Sequence, residues 1–309
     1  MLKERKKTVS LIDQQHFGIA RKIVSNMTSE SWETIPHTCV TSEPEVSEFM
    51  KVLSEINEGK DKSEKITVNT ALLRVIVEGL KVCPRMNSHI QFNRRLVRGR
   101  VDTFDHIDIS MPVVLKSGEM MTVNLHSFED KTMSQMRDII HNTMERANNS
   151  DMNEVMFEVS MDNTIQGLKK GKISQTVCRL IGSKTGKHKV RTLKGDEKKE
   201  YYSKPVETRL TKHDIEQGTI TVSNLGSLYL GWEGACTILE IIPPQVVAIG
   251  IGAIRHTPLC DEDGTIRAGI RLPLTICFDH RALDMGDVVP FMKKLDEIFK
   301  NPSVLKEWV

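Results

Sequence analysis

The sequence predicts an α/β protein, and three observations carry that reading. Helical stripes alternate along the chain with short runs of strand character. The last of those runs, Leu272-Pro-Leu-Thr-Ile-Cys-Phe278, stops abruptly at Asp279-His280-Arg281 and is followed by a helix-like segment. Hydrophobic residues make up 39% and charged residues 27% of the 309 positions, ordinary for a globular chain. No apolar run approaches the ~18–20 residues that cross a bilayer.

Taken in order, Ile19, Ile23 and Met27 make an i, i+4 stripe that Thr34-Ile-Pro-His37 stops. Thr38 to Ser42 has strand propensity. A helix is expected from Ser42-Glu-Pro-Glu45, with acidic residues in its first turn and Val46, Phe49, Met50, Leu53 and Ile56 on one face. After a charged loop from Glu55 to Lys65, Thr67 to Leu80 is apolar on most faces and reads as a buried helix closed by Cys83-Pro84. Short strands are expected at Met86 to Gln91 and Arg95 to Arg98. Residues 107–115 and 119–125 flank Lys116-Ser-Gly118 as a strand pair with a glycine turn. Lys131 to Asn148 returns to helical spacing. Later strands are expected at Gly218 to Gly226, Ile238 to Ile242, Val246 to Ile251 and Leu272 to Phe278, with a bend at Pro243-Pro244 and a closing helix from Val288 to Phe299.

From about residue 150 to 208 the character changes. Between Leu168 and Arg209 stand ten Lys and three Arg against four acidic residues, a local excess of 13 − 4 = +9 in a chain whose total is +2. A solvated or mobile insertion accounts for it; docking of an acidic partner, a phosphate-bearing cofactor or an anionic membrane is the alternative. Aromatic interleaving is limited to Tyr201-Tyr202, so no nucleic-acid partner is expected. The basic start lacks the apolar core of a secretory signal, and a cytoplasmic protein is expected. Six single cysteines, without a Cys-x-x-Cys pair, read as reduced thiols, and no metal site is expected.

Candidate chemistry centres on His280, with Asp284 four positions on. A base and a carboxylate are held close there, or else His280 merely ends a core strand and Asp284 caps the next helix. Strand alternation puts Cys277 on the face of Thr275 and Asp279, and His280 on that of Ile276 and Phe278, so a Cys/His nucleophile is disfavoured. Ser223, a hydroxyl at a strand end in Thr-Val-Ser-Asn-Leu-Gly226, is the best local oxyanion donor. Gly250-Ile-Gly-Ala-Ile-Arg-His256 lacks the third glycine of a dinucleotide fingerprint, and Lys184-Thr-Gly-Lys-His lacks Walker spacing.

Four stretches, in order, resemble the catalytic domain of the dihydrolipoyl acyltransferases of 2-oxo acid dehydrogenase complexes. They are Ala20-Arg-Lys-Ile-Val-Ser-Asn-Met with Thr34-Ile-Pro-His37; Ile66-Thr-Val-Asn-Thr-Ala-Leu-Leu; Leu210 to Gly226; and Phe278-Asp-His-Arg-Ala-Leu-Asp284. The resemblance implies a chloramphenicol acetyltransferase-like two-layer sandwich, a mixed sheet packed by helices. It implies one catalytic domain over residues 1–309, with the basic tract at about 150–208 as an insertion. It implies CoA-dependent acyl transfer from an acyl-CoA thioester to a thiol or hydroxyl acceptor, with coenzyme A as substrate and no tightly bound cofactor. His280 would be the general base and Ser223 the oxyanion donor. Asp284 would support the histidine loop, with Arg21 a candidate partner for it and Asn224 a supporting residue of the Thr-x-Ser-Asn motif. A homotrimer or an assembly of trimers is implied, with the serine and histidine coming from different chains.

Three departures from the family pattern stand out. Met285 intervenes before Gly286, where the family usually has glycine directly after the aspartate. Gly118-Glu-Met-Met-Thr-Val-Asn124 replaces the family's Gly-Leu-Leu-x-Pro-Val stretch. No lipoyl domain precedes the matching region, so a lipoyl domain on a separate chain, or another acceptor, is expected. A non-catalytic scaffold or docking protein that keeps the fold is the competing expectation.

Overall fold

The computed structural model describes residues 11–169, 173–186, 189, 192–228 and 231–309. In chain order the elements are α1 (Ile19–Thr34), β1 (His37–Ser42), α2 (Ser47–Ile56), α3 (Val68–Val82), β2 (Ser88–Asn93), β3 (Arg98–Thr103), β4 (Ile109–Val114), β5 (Met120–Leu125) and α4 (Met133–Asn148). They continue with α5 (Met152–Lys169), α6 (Ile173–Lys184), α7 (Gly195–Ser203), β6 (Ile220–Asn224), β7 (Val247–Ile251), β8 (Arg255–Cys260), β9 (Ile266–Arg271), β10 (Leu274–Asp279) and α8 (Met285–Lys300). Contacts divide the chain into two compact units. One comprises the described residues up to Asn26 and Asp151–Ser203, the other Met27–Ser150 and Lys204–Val309.

In the first unit the buried carboxylate of Glu154 is satisfied locally. It accepts hydrogen bonds from the Leu193 N–H at 2.6 Å and the Tyr202 hydroxyl at 3.1 Å, and Lys198 stands 3.5 Å away. Burial first, then the carboxylates of Glu158 and Glu154, pushes the Tyr202 phenol above its ordinary range. The basic start and residues 170–172, 187, 188, 190 and 191 of the basic tract lie outside the described residues. No helix among the described residues is long and apolar enough to cross a membrane.

The second unit is built on a six-stranded mixed sheet in the order β1-β10-β7-β6-β4-β5, parallel only where β6 pairs with β4 and β7. Alternation sorts its faces. Val222, Ile249 and Ile276 occupy one row, and Ser223, Gly250 and Thr275 form the neighbouring row on the opposite face. The expected buried helix is α3, with Ala71, Leu72, Leu73, Val75, Ile76, Val77 and Leu80 inside and the Thr67 hydroxyl accepting from the Thr70 N–H at 3.1 Å. It lies so close to α8 that a Cβ on Gly79 would come within 2.6 Å of the Phe291 ring.

Three local expectations are corrected. Helix α2 begins at Ser47 rather than near Pro44, because the preceding residues run beside β9: the Val46 N–H donates to Ile270 O, and Glu45 takes both Nη atoms of Arg267 at 2.7 Å. Residues 94–97 form a turn, and β3 starts at Arg98. Ile238 to Ile242 is not a strand. Its polar backbone is satisfied piecemeal: the Ile241 N–H donates to His37 Nε2 at 3.1 Å, while Ile241 O accepts from the Ser31 hydroxyl and Ile242 O from Gln217 Nε2. The reduced-thiol reading also fails for one pair. Cys39 and Cys277 lie directly opposite in the β1–β10 register, Cα atoms 4.1 Å apart, and are joined as a disulfide.

A charged clasp fastens β4, β5 and β6. Asp108 accepts from the Ser127 N–H at 2.8 Å and pairs with His126 Nδ1 at 3.1 Å, while its backbone oxygen accepts from Thr219 and Ile220. The other His126 nitrogen faces His213 O at 3.1 Å, and the two imidazoles stack 3.8 Å apart. With an acceptor at each nitrogen, imidazolium is the favoured form. Asp108 raises the His126 pKa against the opposing effect of burial; burial acts upward on Asp108 but is outweighed by His126 and Ser127, which hold it below its ordinary value. The signs follow by linkage. The His126 contribution is full below its unfolded pKa of about 6.5 and is lost as pH rises through the raised folded value; the Asp108 contribution is lost as pH falls through its lowered one. Asp108→Asn should therefore destabilise by about 1.5–3 kcal/mol at pH 6, with the deficit shrinking at alkaline pH. Chemical denaturation of both proteins at several pH values checks this; a deficit independent of pH would remove the charge pair from the explanation.

Candidate active site

Strand β10 ends in a tightly held turn. The Asp279 N–H donates to Val246 O at 2.8 Å, the His280 N–H to Pro36 O at 3.1 Å, and Ala282 and Leu283 both donate to Asp279 O. The Asp279 carboxylate is completely buried, which demands a countercharge. Arg281 supplies it, through its backbone N–H at 2.9 Å, Nε at 3.0 and 3.1 Å and Nη2 at 2.6 Å. With its neighbours on both sides fixed, the His280 side chain projects outward, half exposed. Its Nδ1 lies 3.3 Å from Asp284 Oδ1. That contact orients the ring and leaves Nε2 as the nitrogen able to take a proton.

Asp284 immediately precedes α8, and its backbone N–H donates to Asp287 Oδ2 at 2.9 Å. It thus serves both the histidine and the helix start. Met285 fits without distortion because it is the first residue of α8, 42% exposed, and has no left-handed backbone. At Gly286 an added Cβ would meet open space. Glycine is not needed at either position.

Ser223 is buried on β6, level with Gly250 and Thr275. Its hydroxyl has no partner among the described residues. Cys236 packs over Gly250, where an added Cβ would stand 3.1 Å from the cysteine Cβ, and the Thr275 hydroxyl donates to Cys236 O. Burial pushes the Cys236 thiol up, away from the reactive thiolate. The polar turn after Ser223 is pinned twice: Asn224 Nδ2 donates to Asn69 Oδ1 at 3.0 Å, and Asn224 Oδ1 accepts from the Ser227 N–H at 3.2 Å. Gly226 must be glycine, since a Cβ there would lie 2.4 Å from Gly252 O.

The structure brings His280 together with Asp284 and places Asn224 beside Ser223, but it does not bring Ser223 to His280. Ser223 is level with Thr275, five residues back from His280 along β10 and two strands across. At about 3.3 Å per residue and about 4.8 Å per strand, the two residues are roughly 19 Å apart within one chain. Arg21 lies in the first turn of α1, exposed, with no ion pair among the described residues. The Asp279–Arg281 pair was not anticipated, although a carboxylate on an inward strand position with an arginine two residues on was visible. His37 of the Thr-Ile-Pro-His motif is not a base. Because Nε2 accepts from the Ile241 N–H, Nδ1 carries the proton and donates to Ile35 O at 2.9 Å.

This fold is that of acyltransferase catalytic cores. A solved structure of Azotobacter vinelandii dihydrolipoamide acetyltransferase, which addresses the catalytic role of a serine, a histidine and an asparagine in that enzyme, superposes with a TM-score of 0.67 at 16% identity, covering 97% of this chain and 96% of the other. A probable dihydrolipoamide acetyltransferase from Listeria monocytogenes gives 0.65 at 16% identity over 94% and 95%. The family model for 2-oxoacid dehydrogenases acyltransferase (catalytic domain) matches residues 11–162 and 190–306, and the chain belongs to that family. In sequence it is 22% identical, over 92% of its length, to the dihydrolipoyllysine-residue acetyltransferase component of the Rickettsia bellii pyruvate dehydrogenase complex. It is 21% identical, over 98% of its length, to the corresponding component of the Bacillus subtilis acetoin cleaving system. It spans 52% and 60% of those two relatives.

Proposed function

We propose that this chain transfers an acyl group from an acyl-CoA thioester to a thiol or hydroxyl acceptor, at a site shared between two copies of the chain. The observation that carries the reading is the pairing of His280 with Asp284, with Nε2 left unengaged at the exit of β10. In the Azotobacter enzyme the histidine and asparagine under study are likewise four positions apart, and Asp284 stands at that spacing from His280.

The acceptor's thiol or hydroxyl gives its proton to His280 Nε2, and the resulting anion attacks the thioester carbonyl. The Ser223 hydroxyl of another copy donates to the oxyanion of the tetrahedral intermediate. Collapse breaks the carbon–sulfur bond, and the departing CoA thiolate takes the proton back from His280. A dihydrolipoyl group on a separate chain is the natural thiol acceptor. The homotrimer, or an assembly of trimers, is then part of the mechanism, because the register keeps Ser223 and His280 apart within one chain. The family model passes over residues 163–189 only, which supports an insertion narrower than the expected one at about 150–208.

The test is release of free CoA thiol from a panel of acyl-CoA thioesters, offered dihydrolipoamide, alcohols and amines as acceptors. Turnover with a thiol or alcohol acceptor is expected. Its absence across the panel would leave the non-catalytic scaffold as the better reading.

A further inference from the structure

The β2–β3 hairpin carries charge that the fold does not use. Its turn and the start of β3 read Arg94-Arg-Leu-Val-Arg-Gly-Arg100, four arginines without a lysine or a carboxylate among them. All four are exposed. Arg100 is neutralised by Asp102 at 3.2 Å, whereas Arg94, Arg95 and Arg98 have no carboxylate partner among the described residues.

The hairpin is also anchored beside the candidate base. Phe92 pairs with Gly99, one register step from the turn, and its ring lies over that glycine, where an added Cβ would be 3.1 Å from Phe92 Cδ2. The guanidinium of Arg281 stands 5.8 Å from the Phe92 ring centroid. Arg281 is the residue after His280 and is fixed by Asp279. The arginine-bearing turn is thereby held next to the histidine loop. Val97, a β-branched residue, is in the left-handed region at φ 47°, a strained conformation of the kind found at ligand clamps.

We infer that Arg94, Arg95 and Arg98 hold the phosphates of the acyl-CoA whose thioester reacts at His280. The inference rests on the acyl-transfer reading above. Guanidinium groups present planar forks that match phosphate oxygens two at a time, which an ammonium group does not. CoA carries a diphosphate and a 3′-phosphate on the far side of a flexible arm from its sulfur, so its phosphates must be held away from the reacting centre. A turn of four residues is a small footprint, suited to a few phosphates rather than to the ~800 Å² per partner of a standard protein interface. Nucleic acid would want open aromatic faces, and the one aromatic ring on the hairpin is flanked by Gly99 and Arg281.

The experiment compares acetyl-CoA with S-acetylpantetheine, which has the same thioester arm and no phosphate, on the full chain and on Arg94→Gln/Arg95→Gln/Arg98→Gln. The triple variant should raise KM for acetyl-CoA at least tenfold and change KM for S-acetylpantetheine less than twofold, with kcat for both near the parent's. Arg100→Gln, whose charge Asp102 already occupies, should change neither KM by more than twofold. Equal losses on the two thioesters, no loss on either, or a raised KM only for a protein acceptor would each overturn the assignment. If the parent turns over neither thioester, the acyl-transfer reading falls, and equilibrium dialysis decides the hairpin separately. Binding of CoA that weakens tenfold in the triple variant and with dephospho-CoA upholds the phosphate site; equal binding by parent and variant, or none by the parent, removes it.

Discussion

His280→Ala should reduce CoA thiol release by about 10²–10⁴-fold, the usual worth of a positioned general base. The loss should appear in kcat for every acceptor, because the acceptor's proton has nowhere else to go. Stability should hardly move. The His280 side chain is half exposed, and the turn is held by contacts that alanine retains: the backbone N–H to Pro36 O, and the buried Asp279–Arg281 pair. Surface substitutions that break no such contact fall within about 0.5 kcal/mol. Activity and the melting transition measured on the same preparation separate the cases. A variant that melts with the parent but keeps its turnover would remove His280 from the chemistry, and one that loses both would make it structural. Asp284→Asn should cost less, since an amide can still hold Nδ1, and its main signature should be an altered pH profile of kcat.

What the sequence disclosed of this fold depended on how local the determining contact was. Helix α3 and strands β6, β7 and β10 declare themselves because their burial follows a period readable from neighbouring residues. Strands β8 and β9 do not. Only two of their twelve residues are buried and neither run alternates cleanly, and what makes them strands is pairing with each other across a turn at Gly264, φ 85°. The reverse error at Ile238 to Ile242 has the same root, for an apolar run looks like a strand whether its N–H groups meet a neighbouring strand or, as here, the side chain of His37. The Cys39–Cys277 disulfide follows from register, which alternation within one strand cannot supply.

The candidate site divides in the same way. The i, i+4 spacing put Asp284 near His280, and the two side chains lie 3.3 Å apart; Cys277 is taken up in the disulfide with Cys39, while His280 lies past the end of β10. Met285 looked disruptive only while the turn was imagined as needing glycine; once α8 starts at that residue, an ordinary helical backbone suffices.

Ser223→Ala should lower kcat by about 10²–10³-fold, the cost of one lost oxyanion donor. The more discriminating result comes from pairing this lesion with the other. If each site takes its serine from one chain and its histidine from the next, co-expressed Ser223→Ala and His280→Ala chains will assemble some interfaces in which both intact residues meet. For random incorporation at equal expression, about one quarter of the sites in a head-to-tail ring are of this kind. The mixture should therefore recover roughly a quarter of parental activity, although each variant alone has almost none. A site contained in one chain allows no such recovery, because every chain in the mixture would carry a lesion in its own site. The geometry already decides which to expect. Level with Ser223 on β10 is Thr275, and His280 lies beyond the end of that strand at Asp279. No rotamer change spans roughly 19 Å, so recovery in the mixture is the expected result.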